Sequence, residues 1–166
     1  MNNYAGLLQK FGKIKEASIY CKKALDIEPN DALYNGNYAL LLEKQNLIEA
    51  EFYYKKSIDI ESNNASFIGN YANLLHKLNK NNEAETYYKK ALEINPDNAE
   101  AYSNRGGIRL AFKEFSAAIN DFTKAIEIDP NYARAYYGRG FAKIISGQKY
   151  SGCLDLSKAG ELGNEQ

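Results

Sequence analysis

Apolar side chains in this chain come as pairs of helical stretches broken by short polar turns. Phe67, Ile68, Tyr71, Leu74, Leu75 and Leu78 recur at the spacing of one helix face. The polar run NKNN interrupts them, and Ala84, Tyr87, Tyr88, Ala91, Leu92 and Ile94 then resume the rhythm. That alternation predicts a helical hairpin. The segments EPND, ESNN, NPDN and DPNY follow successive second stretches. They supply Asn and Asp that can cap the next helix, mostly beside a Pro that cannot continue the last one.

The hairpin repeats with a period of about 34 residues. Ala84, Ala91 and Pro96 return as Ala118, Ala125 and Pro130. They appear earlier as Ala17, Ala24 and Pro29, and in weakened form as Ala50, Ser57, Ser62 and as Gly152, Ala159, Asn164. Five units follow, at about 1–31, 32–64, 65–98, 99–132 and 133–166, expected to form one domain over 1–166. Such a unit cannot bury its own apolar face and must stack on its neighbours, so the period predicts an all-α solenoid.

Each first helix carries a small residue at Ala5, Ala39, Ala72, Gly106 or Gly140, and each second helix at Ala17, Ala50, Ala84, Ala118 or Gly152. Small residues on facing surfaces let helices approach closely. The two slots lie 12 residues apart except in the second unit, where Ala39 and Ala50 are 11 apart. One residue is missing from that turn, after Gln45. Unit one begins almost inside its first helix. Gly152, Gly160 and Gly163 predict a fraying last helix, with residues 163–166 disordered, because glycine costs up to about 1 kcal/mol per helical position relative to alanine. The blunt ends suggest a fragment of a longer chain.

Composition narrows the function classes. Hydrophobic residues make up 45% of the chain, so it should fold, and 21 basic residues balance 21 acidic ones. No surplus of positive charge favours nucleic acid or an anionic membrane as partner. No apolar run is long enough to span a bilayer and no signal peptide opens the chain, so a cytoplasmic location is expected. Cys21 and Cys153 lie too far apart for a metal knuckle and read as small packing residues. No cofactor, metal site or catalytic triad is apparent; His76, the single histidine, lacks a second ligand nearby in the pattern. The chain is expected not to be an enzyme.

The stretch AEAYSNRGGIRLAFKEFSAAINDFTKAIEIDPN resembles a tetratricopeptide repeat almost residue for residue: Tyr102, Gly106, Ala118, Phe122, Ala125 and Pro130 stand in that family's signature slots. The likeness extends over residues 1 to about 164, strongest in units three and four. It implies a right-handed superhelix of antiparallel helix pairs, first helices lining a concave groove. It also implies a non-catalytic scaffold that binds a protein or extended peptide.

Laid over one another, the units show one pair of slots changing together. Tyr4 with Tyr20, Tyr38 with Tyr53 and Tyr71 with Tyr87 give way to Arg105 with Asp121 and Arg139 with Asp155. Antiparallel packing brings the two slots together, so an aromatic pair has been exchanged for an ion pair across each hairpin. In the alternative, the arginines grip a ligand carboxylate. The LysLys steps at Lys22, Lys55 and Lys89 precede Asp26, Asp59 and Glu93 at helical pairing distance.

Two residues before the first small slot stand Asn3, Asn37, Asn70 and Asn104, with Gly138 breaking the series. A carboxamide both donates and accepts, so such a row can hold a peptide backbone whatever its side chains. In some members of the resembling family an asparagine ladder here does so. The peptide-binding candidates are therefore Asn37, Asn70, Asn73, His76, Asn104 and Arg134, with Tyr137, Phe141 and Ile144 as an added apolar patch. A chaperone adaptor holding an acidic C-terminal tail is the alternative, with Asn73, Asn104 and Arg134 present but Gly69 and Gly138 where that clamp has cations. A targeting module of a larger enzyme is another. Uncapped end units favour self-association.

Overall fold

The computed structural model describes Leu8 and residues 11–164, and among these there is no strand. The helices are α1 (Ile14–Ile27), α2 (Ala32–Leu42), α3 (Leu47–Ile60), α4 (Ala65–Lys77), α5 (Asn81–Ile94), α6 (Ala99–Ala111), α7 (Phe115–Ile128), α8 (Ala133–Ile145) and α9 (Lys149–Asn164). They fall into two compact units, residues 1–87 and 88–166, divided inside α5 between Tyr87 and Tyr88. Tyr4, Ala5 and Asn3 lie outside the described residues.

In the first unit α2 packs against both α1 and α3, and α4 against α3. The small slots do what their size allows: Ala17, Ala39, Ala50 and Ala72 are completely buried at the helix contacts. Tyr54, Ile68, Tyr71, Leu74 and Leu75 fill the space around them. Gly36 is small for a definite reason, since a Cβ there would stand 2.5 Å from the Phe67 ring.

In the second unit α6 pairs with α7 and α8 with α9, while α8 also packs on α7 and α6. Ala118, Phe122, Ala125 and Ala135 form the buried centre, flanked by Tyr102, Leu110, Ile126 and Tyr132. The α8 and α9 backbones nearly touch: a Cβ on Gly152 would lie 2.7 Å from the Gly140 carbonyl oxygen and 2.6 Å from Ile144 Cγ1. Ile144 is thus turned toward α9, leaving Tyr137, Phe141 and Ile145 as the exposed apolar side chains of α8.

Caps between units follow the polar segments at three places and not at the fourth. Asp31, Asn64 and Asn98 accept from the backbone N–H of Tyr34, Phe67 and Ala101 at 2.7, 3.3 and 3.0 Å. At α8 the cap position falls on Tyr132, whose side chain makes no such bond; Asp129 instead accepts from the Asn131 N–H within the turn at 3.0 Å.

Turns inside the hairpins share a left-handed residue: Gly12, Asn79, Lys113 and Gly147 have φ of 73°, 60°, 64° and 93°. Each is followed by a residue whose N–H reaches back five positions, as Lys80 to Leu75 at 2.9 Å and Glu114 to Arg109 at 2.9 Å. This is the Schellman closure of a helix end. The second repeat, residues 32–64 and one residue shorter, has no left-handed residue in its turn; Gln45 and Asn46 both donate to the Leu42 carbonyl, at 2.8 and 2.7 Å. The deletion has removed the left-handed step and left a tighter turn, capped by Asn46 onto the Glu49 N–H at 3.2 Å.

Among the described residues the last helix does not fray, and residues 165 and 166 lie outside them. α9 runs through Gly152, Gly160 and Gly163 to Asn164, anchored by the buried Asp155, Ala159 and Leu162. Tertiary contact here outweighs glycine's low propensity.

Candidate functional site

The paired slots are occupied as two different chemistries. In the first unit the rings of Tyr38 and Tyr53 meet edge to face at 4.8 Å, and those of Tyr71 and Tyr87 at 4.7 Å, a favoured aromatic geometry. In the second unit Arg105 Nε and Nη2 donate to Asp121 Oδ2 and Oδ1 at 2.8 and 2.7 Å. Arg139 holds Asp155 with the same two distances. Both are bidentate forks, the strongest form of such a pair. The guanidinium of Arg105 also lies over Tyr102 at 5.5 Å and that of Arg139 over Tyr136 at 5.4 Å.

A third slot belongs to the set, and the reading of the sequence passed over it. Arg109 Nη1 donates to Asp121 Oδ2 at 3.0 Å and Lys143 Nζ to Asp155 Oδ2 at 2.8 Å. These cations stand four residues after each arginine, where the first unit has Leu42 and Leu75, both buried. Three positions therefore switch together from apolar to charged, and the internal alignment contained that signal. Burial pushes the Asp155 carboxyl up, but hydrogen bonds and charge from Arg139 and Lys143 outweigh it and hold the group below its ordinary value.

The first unit has polar clamps of its own between successive hairpins. The buried Tyr54 hydroxyl donates to Glu43 Oε1 at 2.6 Å, and Lys77 pairs with the same carboxylate. Glu51 receives Lys55 at 2.8 Å and Lys80 at 2.9 Å. Its carboxyl is held low chiefly by the hydrogen bond from Lys55. Lys55 thus pairs backward along α3 with Glu51, whereas Lys89 does pair with Glu93, at 4.0 Å. Asn35 Nδ2 ties the preceding turn by donating to the carbonyls of Pro29 and Asp31 at 3.0 and 2.6 Å. Asn35 Oδ1 and Ser103 Oγ are buried with no hydrogen-bond partner among the described residues.

The candidate binding residues lie on first helices. Asn37 sits on α2, and Asn70, Asn73 and His76 along α4; the three asparagines are half-buried, and His76 is exposed. His76 Nδ1 is 2.7 Å from Asn81 Oδ1, so a neighbouring side chain orients the ring. Asn104 on α6 is only 9% exposed and Arg134 on α8 is exposed. Arg134, Tyr137 and Ala133 line a cleft of about 500 Å³ with Leu156, Ala159 and Gly160 of α9. Cys21 is a packing residue, but Cys153 on α9 is exposed. Among the described residues no group of three His, Cys, Asp or Glu is arranged to hold a metal ion, and no helix is long and apolar enough to cross a membrane.

No curated protein matches the sequence significantly. Solved structures do match the fold. MamA of Desulfovibrio magneticus RS-1 is 19% identical with a TM-score of 0.87, covering 99% of this chain and 93% of its own. YrrB, described as a TPR protein with an unusual peptide-binding site, is 23% identical with a TM-score of 0.78, covering 97% and 84%. PilF of Pseudomonas aeruginosa is 18% identical with a TM-score of 0.89, covering 96% and 73%. They share the all-α solenoid of antiparallel helix hairpins. Family models match residues 1–31 as a tetratricopeptide repeat and residues 72–111 and 113–143 as TPR repeats. With the signature residues in their slots and the hairpins they predict in place, the chain belongs to the tetratricopeptide repeat family.

Proposed function

We propose that the chain is a non-catalytic scaffold that binds a peptide or protein partner on the faces of its first helices. The observation that carries this reading is the recurrence of Asn37 and Asn70 at one helical position, each two residues before a completely buried alanine, Ala39 or Ala72. Packing consumes the alanine and leaves the carboxamide half exposed. A carboxamide satisfies a peptide N–H and a peptide C=O alike, so binding would tolerate varied partner sequences. Asn73 and His76 extend the same helix toward its C-terminus. The peptide-binding site ascribed to YrrB favours a role of the same class. Asn104, the equivalent carboxamide of the second unit, is only 9% exposed and offers far less surface.

Selection from a displayed library of random 12-residue peptides, followed by titration of the best binder, tests the reading. Asn37→Ala with Asn70→Ala is expected to weaken binding by roughly fivefold to a hundredfold, as loss of two hydrogen-bonding side chains at roughly 0.5–1.5 kcal/mol each implies. Unchanged affinity in the double variant would reject the asparagine faces as the binding surface.

A further inference from the structure

We infer that the cleft between α8 and α9 is a second docking site, which takes an acidic amphipathic helix of a partner protein and inserts one of its apolar side chains over Gly160. The cleft exists because three positions depart together from their counterparts in the other units. Gly160 stands where those units carry Leu25, Ile58, Leu92 and Ile126. The first three are buried, and Ile126 packs against the Phe122 cluster. With glycine in that slot, no atom of the described residues beyond its own stretch of helix lies within 4 Å of where a Cβ would be. Tyr137 replaces the buried Gly36, Gly69 and Ser103, and is 60% exposed. Arg134 replaces Leu33, Ser66 and Glu100. All three line the same apolar opening, beside Leu156 and Ala159.

The chain itself shows what such a flank accepts. One repeat earlier, the equivalent side of α7 is covered by a helix: α8 lays Ala135 and Gly138 onto Phe122, with so little room that a Cβ on Gly138 would be 2.4 Å from the ring. The flank of α9 repeats this register with Leu156 in place of Phe122 and Ala159 in place of Ala125. A helix is therefore the shape it fits. Where the earlier unit fills the adjoining slot with its own Ile126, α9 leaves a void for a side chain brought by the partner.

Charge selects the partner's sign. α8 and α9 hold five basic residues against two carboxylates, Asp155 and Glu161, although the whole chain is neutral. Asp155 takes up Arg139 and Lys143, and Glu161 pairs with Lys158 at 3.1 Å, so the two carboxylates engage three of the five cations, while no ion pair among the described residues engages Arg134 or Lys149. Arg134 at the edge of the cleft is then placed to meet a carboxylate on the turn flanking the inserted side chain. The site is independent of the asparagine faces, and the test separates the two.

The probe is a fluorescein-labelled 18-residue helix-forming peptide with leucines along one face and glutamates beside them, compared with the same peptide carrying lysine for glutamate. Anisotropy is expected to show the acidic peptide binding at least tenfold tighter than the basic one, and more weakly as salt rises. Gly160→Ile, which restores the residue type of the other units, should weaken it at least tenfold while circular dichroism shows the helices retained. Arg134→Glu, a surface change, should weaken it at least fivefold, and Asn37→Ala with Asn70→Ala should leave it unaltered. Equal binding of both peptides, no binding, or indifference to Gly160→Ile and Arg134→Glu would overturn the site. Sensitivity to the asparagine changes alone would move the peptide to the first-helix faces. A concentration-dependent dimer abolished by Gly160→Ile would place a second copy in the cleft and overturn the assignment to a partner protein.

Discussion

Asp121 and Asp155 each sit between two cations, so removing one carboxylate strands a pair of positive charges. Asp121 is 4% exposed and Arg105 12%. Asp121→Ala is therefore expected to cost about 2–4 kcal/mol, more than an exposed pair's ~0.2–1 kcal/mol, measurable by urea unfolding. Changing the whole set at once, Arg105→Tyr with Arg109→Leu and Asp121→Tyr, copies the first unit's solution and should recover most of that loss. Acid reports on the partner set. The folded-state pKa of Asp155 is depressed, so its contribution is complete above the ordinary carboxylate value of about 3.9 and is lost as pH falls through the folded value. Between pH 5 and pH 2 the wild type should lose stability more steeply than Asp155→Asn. The exchanged pairs were legible because the repeat lets the chain be aligned with itself. Arg109 and Lys143 were harder to read because the equivalent Leu42 and Leu75 are ordinary core residues, and Asn35 because no other repeat carries it.

Among the elements, the hairpin turns separate what local pattern fixes from what packing decides. Gly147 holds φ at 93°, a conformation in which a Cβ costs about 1–2 kcal/mol. Gly147→Ala should accordingly destabilise by roughly that amount in thermal or urea melts, despite alanine's better helix propensity. Lys113 carries the same strain in the neighbouring hairpin, with φ at 64°. Helix positions and three of the four inter-unit caps were readable from periodicity and from Asn and Asp. The persistence of α9 to Asn164 was not, since propensity alone argues against three glycines, which the close approach of Gly152 to Gly140 and Ile144 and the burial of Asp155, Ala159 and Leu162 retain. The cleft over Gly160 was equally hidden: the glycine was visible, but read as weakness in a helix rather than as space beside it.

Taken as a whole molecule, a repeat chain distributes its stability over neighbouring contacts and need not open all at once. Hydrogen exchange should therefore report Asp121→Ala chiefly as faster exchange in α6 to α9, with α1 to α4 much less affected; uniform acceleration along the chain would show a single cooperative unit instead. The solenoid class itself was legible early because a 34-residue period with small residues in fixed slots has few other structural solutions. Which surfaces meet a partner was only half legible, because a face becomes a site through what its packing leaves uncovered.

The tyrosine pairs of the first unit and the ionic triplets of the second answer to different stresses. Apolar burial weakens on cooling, while a carboxylate trapped between cations is undone by protons. Chilling should therefore loosen the hairpins closed by Tyr38 and Tyr71 before the one closed by Asp155, whereas the hairpin of Asp155 should give way only in acid below the ordinary carboxylate value of about 3.9. Cold and acid would thus strike the same small chain at different hairpins.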